Sequence, residues 1–386
     1  MRHENSVLHG LLKLVPWSSF DTLVDEHRAD ARVRRLTTKS QLVALLYSQF
    51  SGAQSLREVE AALASHAGRL YHLGARPVSR STLADANAGR PWQVFQKLFD
   101  HMAGEASRPA RRSLGDAVRL IDSTGLRLAG LGADWARYSA GVLGAKAHVV
   151  YDPDADRPLY LEVTDARVND ITPAKAMPID PGATYVFDLG YYDYAWWAKL
   201  HDAGCRIVTR LKVNTPLSQT VDLPLDGQNP DILSDQIGLL PARQAFRRDN
   251  PFQDPVRVIR LAIDGGKKVL RIVSNDLDAC AQEICDLYKR RWAVELFFRA
   301  IKQGLRVKHL IGRSENAVRI QIAVALIAYL ILRQAQDLSK LTSSFIGFSR
   351  LIKANLMHRK HFDRLLAAPA TTQHDPQQLC LDWGTA

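Results

Sequence analysis

Cysteine is scarce and unpatterned. Cys205, Cys280, Cys285 and Cys380 show neither the paired spacing of a metal site nor a disulfide framework, so they are expected to be reduced, structural thiols. Long hydrophobic runs are missing too. The longest, "IQIAVALIAYLIL" from Ile320 to Leu332, is short for a membrane span and is bracketed by Arg319 and Arg333, which points to a buried helix and no membrane partner. The N-terminal "MRHENSVLHGLLKLVPW" has no signal-peptide h-region or cleavage site, leaving the cytoplasm as the expected compartment. No internal repeat or low-complexity tract is visible. His148 in "AKAHVVY" has no ligand-spaced partner and reads as a strand residue rather than a metal ligand.

What is present is an ordinary globular composition, 46% apolar and 24% charged over 386 residues, enough for two or three domains. The net charge of +11 favours a polyanionic partner, either nucleic acid or an acidic membrane surface. The first 110 residues read as short capped helices. Thr38 with Gln41 and Ser55 with Glu58 have capping-box spacing, and "SRSTLADANAG" starts a third helix after Pro77. Arg32, Arg34, Arg35 and Lys39 in the adjoining basic stretch make this segment a candidate DNA contact. From residue 117 the period changes. "AVRLIDST", "AKAHVVY" and "PLYLEVT" predict an antiparallel meander, and "TYVFDLG", a helix carrying Trp196 and Trp197, and "CRIVTRLK" extend it into a mixed α/β domain. The two tryptophans are expected to pack inside. Residues 213–275 are Pro-rich and β-like, with a hairpin at Asp264, Gly265 and Gly266; helix resumes with Asp278 as a candidate N-cap.

Asp122 in "RLIDST" and Asp188 in "YVFDLG" each follow a buried strand. That puts them at a sheet rim, where ligands bind in α/β folds, although for either acid taken alone a turn or cap role is the favoured reading. A third acid, Glu295, lies in "LYKRRWAVELFFRAIKQGL", residues 287–305, which reads as one amphipathic helix. At about 100° per residue, Tyr288, Arg291, Glu295, Arg299 and Lys302 share a stripe about 80° wide, opposite Leu296, Phe297, Ala300 and Ile301. A solvated charged face would give the same stripe, each i,i+4 ion pair contributing about 0.2–0.5 kcal/mol. Three acids from three elements form an all-oxygen donor set that suits Mg²⁺ or Mn²⁺, and two such ions serve phosphoryl transfer. Without metal the acids would repel one another.

The spacing Tyr288, Arg291, Glu295, Lys302 resembles the Tyr-Arg-Glu-Lys signature of the insertion-sequence-four family of DDE transposases. "IDSTGLRL" and "YVFDLGYYDY" resemble the segments bearing that family's two aspartates, and the likeness runs from about residue 35 to 335. The resemblance implies an RNase H-like mixed-sheet catalytic core with a β insertion, preceded by a helical N-terminal domain. The expected division is a DNA-binding domain at 1–110, core at 111–212, insertion at 213–275, helical core at 276–340 and a basic tail region at 341–386.

It further implies a DNA transposase that cleaves terminal inverted repeats and transfers the 3′ ends to target DNA, acting as a homodimer in a synaptic complex and associated with the nucleoid. Asp122, Asp188 and Glu295 would be catalytic and hold two Mg²⁺ ions, with Mn²⁺ able to substitute. Tyr288, Arg291, Arg299 and Lys302 would contact DNA. One departure is that residues 213–275 contain no tryptophan, so Trp292, Phe246 or Phe252 becomes the candidate stacking platform for a flipped base. Two alternatives of other classes are an inactive or domesticated DNA-binding protein and a structure-selective nuclease of the same fold.

Overall fold

The computed structural model describes residues 6–31, 33–111, 117–128, 134–139, 142–225, 227, 229–243, 249–305, 311–341, 344–361 and 365. Seven helices open this part: α1 (Val7–Leu12), α2 (Trp17–Glu26), α3 (Thr38–Ser51), α4 (Leu56–Ser65), α5 (Ala67–Leu70), α6 (Arg80–Gly89) and α7 (Gln93–Arg111). Ser55 Oγ accepts the Glu58 N–H at 3.2 Å and Ser79 Oγ the Thr82 N–H at 3.3 Å, satisfying donors that a helix start leaves orphaned. At α3 the cap falls one residue before the expected one. Thr37 Oγ accepts the Ser40 N–H, whereas Thr38 is fully buried and its hydroxyl donates to Asp30 Oδ1 at 2.7 Å. A buried hydroxyl needs an internal partner, so Thr38 is not available to cap.

The sheet is assembled from β1 (Val118–Leu128), β2 (Arg137–Ser139), β3 (Val142–Asp152), β4 (Arg157–Asp165), β5 (Thr184–Val186), β6 (Arg206–Arg210), β7 (Ser218–Asp222), β8 (Ile232–Leu239), β9 (Val256–Ile263) and β10 (Lys268–Ser274). Short α8 (Ile171–Ala174) and α9 (Tyr194–Asp202) interrupt the strands. The order is β2-β3-β1-β5-β6-β10-β9-β8-β7, with β4 also on β3. β5 is parallel to β1 and β6, and the other pairs are antiparallel, so the sheet is mixed. The strands of residues 213–275 continue this sheet: β10 pairs with β6, aligning Ile272 with Arg210, and covers what would otherwise be an open edge. The β9–β10 turn puts Asp264, Gly265 and Gly266 at φ of +54°, +65° and +85°, a left-handed run that glycine adopts without steric cost. Trp196 and Trp197 are 1% and 2% exposed in the apolar cluster on one sheet face.

Four helices close the chain: α10 (Ala281–Arg290), α11 (Trp292–Gly304), α12 (Glu315–Ser339) and α13 (Phe345–Asn355). The N-cap of α10 is Cys280, whose Sγ accepts the Glu283 N–H, rather than Asp278. α12 carries the long apolar run. It has the length and apolarity of a membrane span, yet 83% of its most apolar window is buried inside the protein. The cover includes α1, α3, α6, α7 and α13, and one apolar cluster runs from Val7 through α12 to Ile352. The first helices and the last core helix therefore share a single interior. Leu8 N–H also donates to Leu356 C=O at 2.9 Å, tying α1 to the end of α13.

Candidate active site

Parallel register brings the two strand acids together. Leu120 of β1 pairs with Val186 of β5; two residues further along each chain lie Asp122 and Asp188, leaving the same sheet face. Asp122 does not follow its strand as the sequence implied. β1 continues to Leu128 because β3 pairs with it along that length, and Asp122 sits opposite Val149. Each carboxylate is fixed by a backbone N–H just beyond it: Ser123 N–H donates to Asp122 Oδ1 at 2.8 Å and Gly190 N–H to Asp188 Oδ1 at 2.7 Å.

Glu295 lies in the first turn of α11, where the helix dipole favours a negative charge. Phe297, two residues on, fixes this turn by packing against Tyr151 of β3 and Tyr329 of α12, with ring centroids 4.9 and 5.0 Å away. The expected single helix over 287–305 is interrupted at Arg291. Arg291 N–H reaches Tyr288 C=O at 3.1 Å and Val294 N–H reaches Arg291 C=O at 3.3 Å, the tighter i to i−3 pattern. The buried face of α11 is Val294, Phe297, Phe298 and Ile301, whereas Leu296, expected inside, is 45% exposed.

Arg291 links the acids. Its Nη2 is 2.6 Å from Glu295 Oε1 and its Nη1 is 3.6 Å from Asp122 Oδ2. Burial pushes the Asp122 carboxyl up to about 6; Ser123 N–H and Arg291 pull against this, and the charges of Asp188 and Glu295 add to it. Asp122 thus feels the charges of both Asp188 and Glu295, with Arg291 in reach of Asp122 and Glu295. Among the described residues, no group of three His, Cys, Asp or Glu side chains is close enough together to hold a metal ion. Arg291 stands between Asp122 and Glu295 instead. The donor set nonetheless fits a hard divalent ion: all its donors are carboxylate oxygens, and one resident guanidinium leaves Asp122 only partly compensated. Buried beside them, Arg291 Nε has no hydrogen-bond partner, and the Tyr191 hydroxyl lies against Ser123.

The cations and aromatics divide. Tyr288, expected at DNA, is 8% exposed; it packs inward with Ile284 and Cys285, and Arg291 lies 5.9 Å from its ring centroid. Trp292 is 51% exposed with Arg299 over its ring at 5.8 Å, and Lys302 is half-buried further along α11. Phe252 is 3% exposed and offers no open stacking face, while Phe246 lies outside the described residues. Arg34 and Arg35 are exposed beside a groove between the α2–α3 connection and α6; Arg32 lies outside the described residues. His148 is a strand residue, its Nε2 2.8 Å from Thr164 Oγ1.

A fourth acid, Asp170, was flagged by no motif. It accepts from Ser123 Oγ at 2.9 Å and from Lys146 Nζ at 3.0 Å. No local pattern could have found it, since its partners Ser123 and Lys146 lie 47 and 24 residues away along the chain.

The Transposase DDE domain family matches residues 113–331, and a family described as a domain of unknown function (DUF4372) matches residues 3–76. The "Putative transposase y4zB" of Sinorhizobium fredii is 36% identical over 318 residues, covering 81% of this chain and 88% of that protein. The "Probable transposase for insertion sequence element IS5377" of Geobacillus stearothermophilus is 30% identical over 280 residues, 70% of this chain and 72% of that protein. A solved piggyBac transposase synaptic complex with hairpin DNA overlaps 94% of this chain and 80% of its own at 11% identity, with a TM-score of 0.45, too low to bear on the fold.

Proposed function

The chain belongs to the DDE transposases of the insertion-sequence-four kind, DNA transposases that use divalent metal, and from that premise we propose how its own residues divide the work. Asp122, Asp188 and Glu295 form the catalytic set and hold two Mg²⁺ ions, with Mn²⁺ as a substitute. The observation that carries this reading is the convergence on Asp122: strand register sets Asp188 beside it, and Arg291 ties it to Glu295 from a helix far along the chain. The strand order β4-β3-β1-β5-β6, with β1, β5 and β6 parallel, supports an RNase H-like core with β7–β10 as its insertion.

When bound, the metal supplies activation of the attacking oxygen and stabilisation of the leaving one. The chain's residues do the rest. Asp122 and Asp188 are pre-aimed by the Ser123 and Gly190 N–H groups, so little ordering cost remains at the moment of binding. Arg291, Arg299 and Lys302 line the approach from the α11 side and take DNA phosphates, Lys302 lying about 10 Å along the helix from Glu295 at 1.5 Å per residue. Tyr288 acts through Arg291, and Trp292 is the exposed stacking surface. Arg34 and Arg35 add backbone contacts from the helical N-terminal segment. The substrate is the terminal inverted repeat of the protein's own element, the 3′ ends are transferred to target DNA, and two copies act together in the synaptic complex.

The test is to incubate the purified protein with its flanking repeats and Mg²⁺. Nicking at the repeat end is expected from the wild type and lost in Asp122→Asn, Asp188→Asn and Glu295→Gln, with repeat binding retained in all three. Retained nicking in one variant removes that residue from the set. Binding without nicking by the wild type favours the domesticated DNA-binding reading, and cleavage indifferent to the repeat favours a nuclease.

A further inference from the structure

Asp122 and Asp188 emerge on one face of the sheet; alternation along β1 sends Ser123 to the other. On that opposite face lies a half-buried polar cluster. Asp170 Oδ1 accepts from Ser123 Oγ at 2.9 Å and from Lys146 Nζ at 3.0 Å. Lys146 also donates to Val168 C=O at 3.0 Å, which ties the segment after β4 back to β3. His148 Nδ1 is 3.7 Å from the same carboxylate oxygen. The second oxygen of Asp170 is turned towards Gly190: a Cβ built at that glycine would lie 3.2 Å from Asp170 Oδ2 and 3.0 Å from Asp188 Oδ1.

These contacts converge on the two residues that aim the acids. Ser123 holds Asp122 through its N–H, and its hydroxyl is held by Asp170. Gly190 holds Asp188 through its N–H and is backed by the same Asp170 carboxylate. Tyr191, 1% exposed, lies against Ser123 in the field of Asp122, Asp170 and Asp188. A carboxylate placed behind two others adds repulsion unless it is neutralised, and Lys146 does this at 3.0 Å. We propose that Asp170, neutralised by Lys146, is a positioning residue that sets the separation of Asp122 and Asp188 from the far side of the sheet, through Ser123 and Gly190. This rests on the assignment of Asp122 and Asp188 as metal ligands.

Residues that orient ligands typically change metal affinity by about 10–100-fold when removed. The experiment is a Mn²⁺ titration of the full chain without DNA, read by calorimetry and by thermal shift, alongside repeat binding in metal-free buffer. Asp170→Ala should weaken Mn²⁺ half-saturation by about tenfold or more, with metal-free repeat binding unchanged. Asp170→Asn keeps an acceptor for Ser123 and the shape over Gly190, so it should recover to within about threefold of wild type. Ser123→Ala is the second variant if Asp170→Ala fails to fold, and should weaken Mn²⁺ binding in the same direction. Wild-type half-saturation in folded Asp170→Ala or Ser123→Ala overturns the inference. Asp122→Asn in the same titration separates the two levels. If it too binds Mn²⁺ as wild type does, the ligand assignment fails; if it loses binding while Asp170→Ala does not, only the positioning role fails.

Discussion

Replacing Arg291 with Met should make the metal-free protein less stable and the metal-bound protein no less so. Arg291 holds Glu295 at 2.6 Å and Asp122 at 3.6 Å, with side chains 19%, 32% and 19% exposed for Arg291, Glu295 and Asp122. An exposed ion pair is worth up to about 1 kcal/mol, and breaking a fully buried one costs about 3–5, so this half-buried pair of contacts is assigned about 2 kcal/mol. An unfolding entropy of roughly 2.1 cal/mol/K per residue gives about 0.8 kcal/mol/K for 386 residues, and hence a fall in Tm of about 2–3 °C.

If a divalent ion and the Arg291 guanidinium compete for Asp122 and Glu295, metal binding to the wild type must first break those pairs. The variant is spared that cost, so its Mn²⁺ half-saturation should tighten by about thirtyfold, the equivalent of 2 kcal/mol, and the Tm gap should close at saturating metal. Differential scanning calorimetry with and without Mn²⁺ measures both effects. Arg291→Lys, which keeps a point charge without the fork, should fall between the two. A Tm gap that persists at saturating Mn²⁺, or an unchanged half-saturation, would refute the idea that the guanidinium and the metal share one space.

The other expectations concern pH and DNA. Burial lowers the His148 imidazole from 6.5 to about 4, with Asp170 opposing and Lys146 assisting, so the unfolded chain takes up this proton first. His148 therefore subtracts stability as pH falls from 6.5 towards 4, by about 3 kcal/mol at the end of that window. Urea unfolding at pH 7 and pH 4.5 should show a smaller acid loss in His148→Gln, and an equal loss would contradict the burial argument. Lys302→Ala should make the log-affinity against log-salt slope for repeat DNA shallower by about 0.9, and an unchanged slope with normal cleavage returns Lys302 to a solvated-face role. Arg34→Ala with Arg35→Ala should flatten the slope by about 1.8 if both meet duplex phosphate. Point substitution is the right perturbation there, because deleting residues 1–110 would strip α12 of its cover. An unchanged slope in the double variant would move DNA contact away from that edge.

Much of the molecule is local enough to be written in the chain. The "VFDLG" strand end, the Ser55 and Ser79 caps and the Asp-Gly-Gly turn each depend on a few neighbouring residues, and period and turn chemistry are enough to find them, whereas the pairing that carries β1 past "IDST" to Leu128 is not local. The apolar run likewise reads as a buried helix from its flanking charges, although α12 as a whole is long enough to cross a membrane and its packing is what shows it buried. Only the tertiary structure decided which partners those pieces would meet. Strand register sets Asp122 beside Asp188 and His148 beside Ser123, and register comes from long-range pairing that no window of sequence contains. Arg291 and Tyr288 looked like outward DNA contacts on a continuous helix. A break at Arg291 turns Tyr288 into the core and puts the guanidinium between Asp122 and Glu295, where its charge offsets their mutual repulsion.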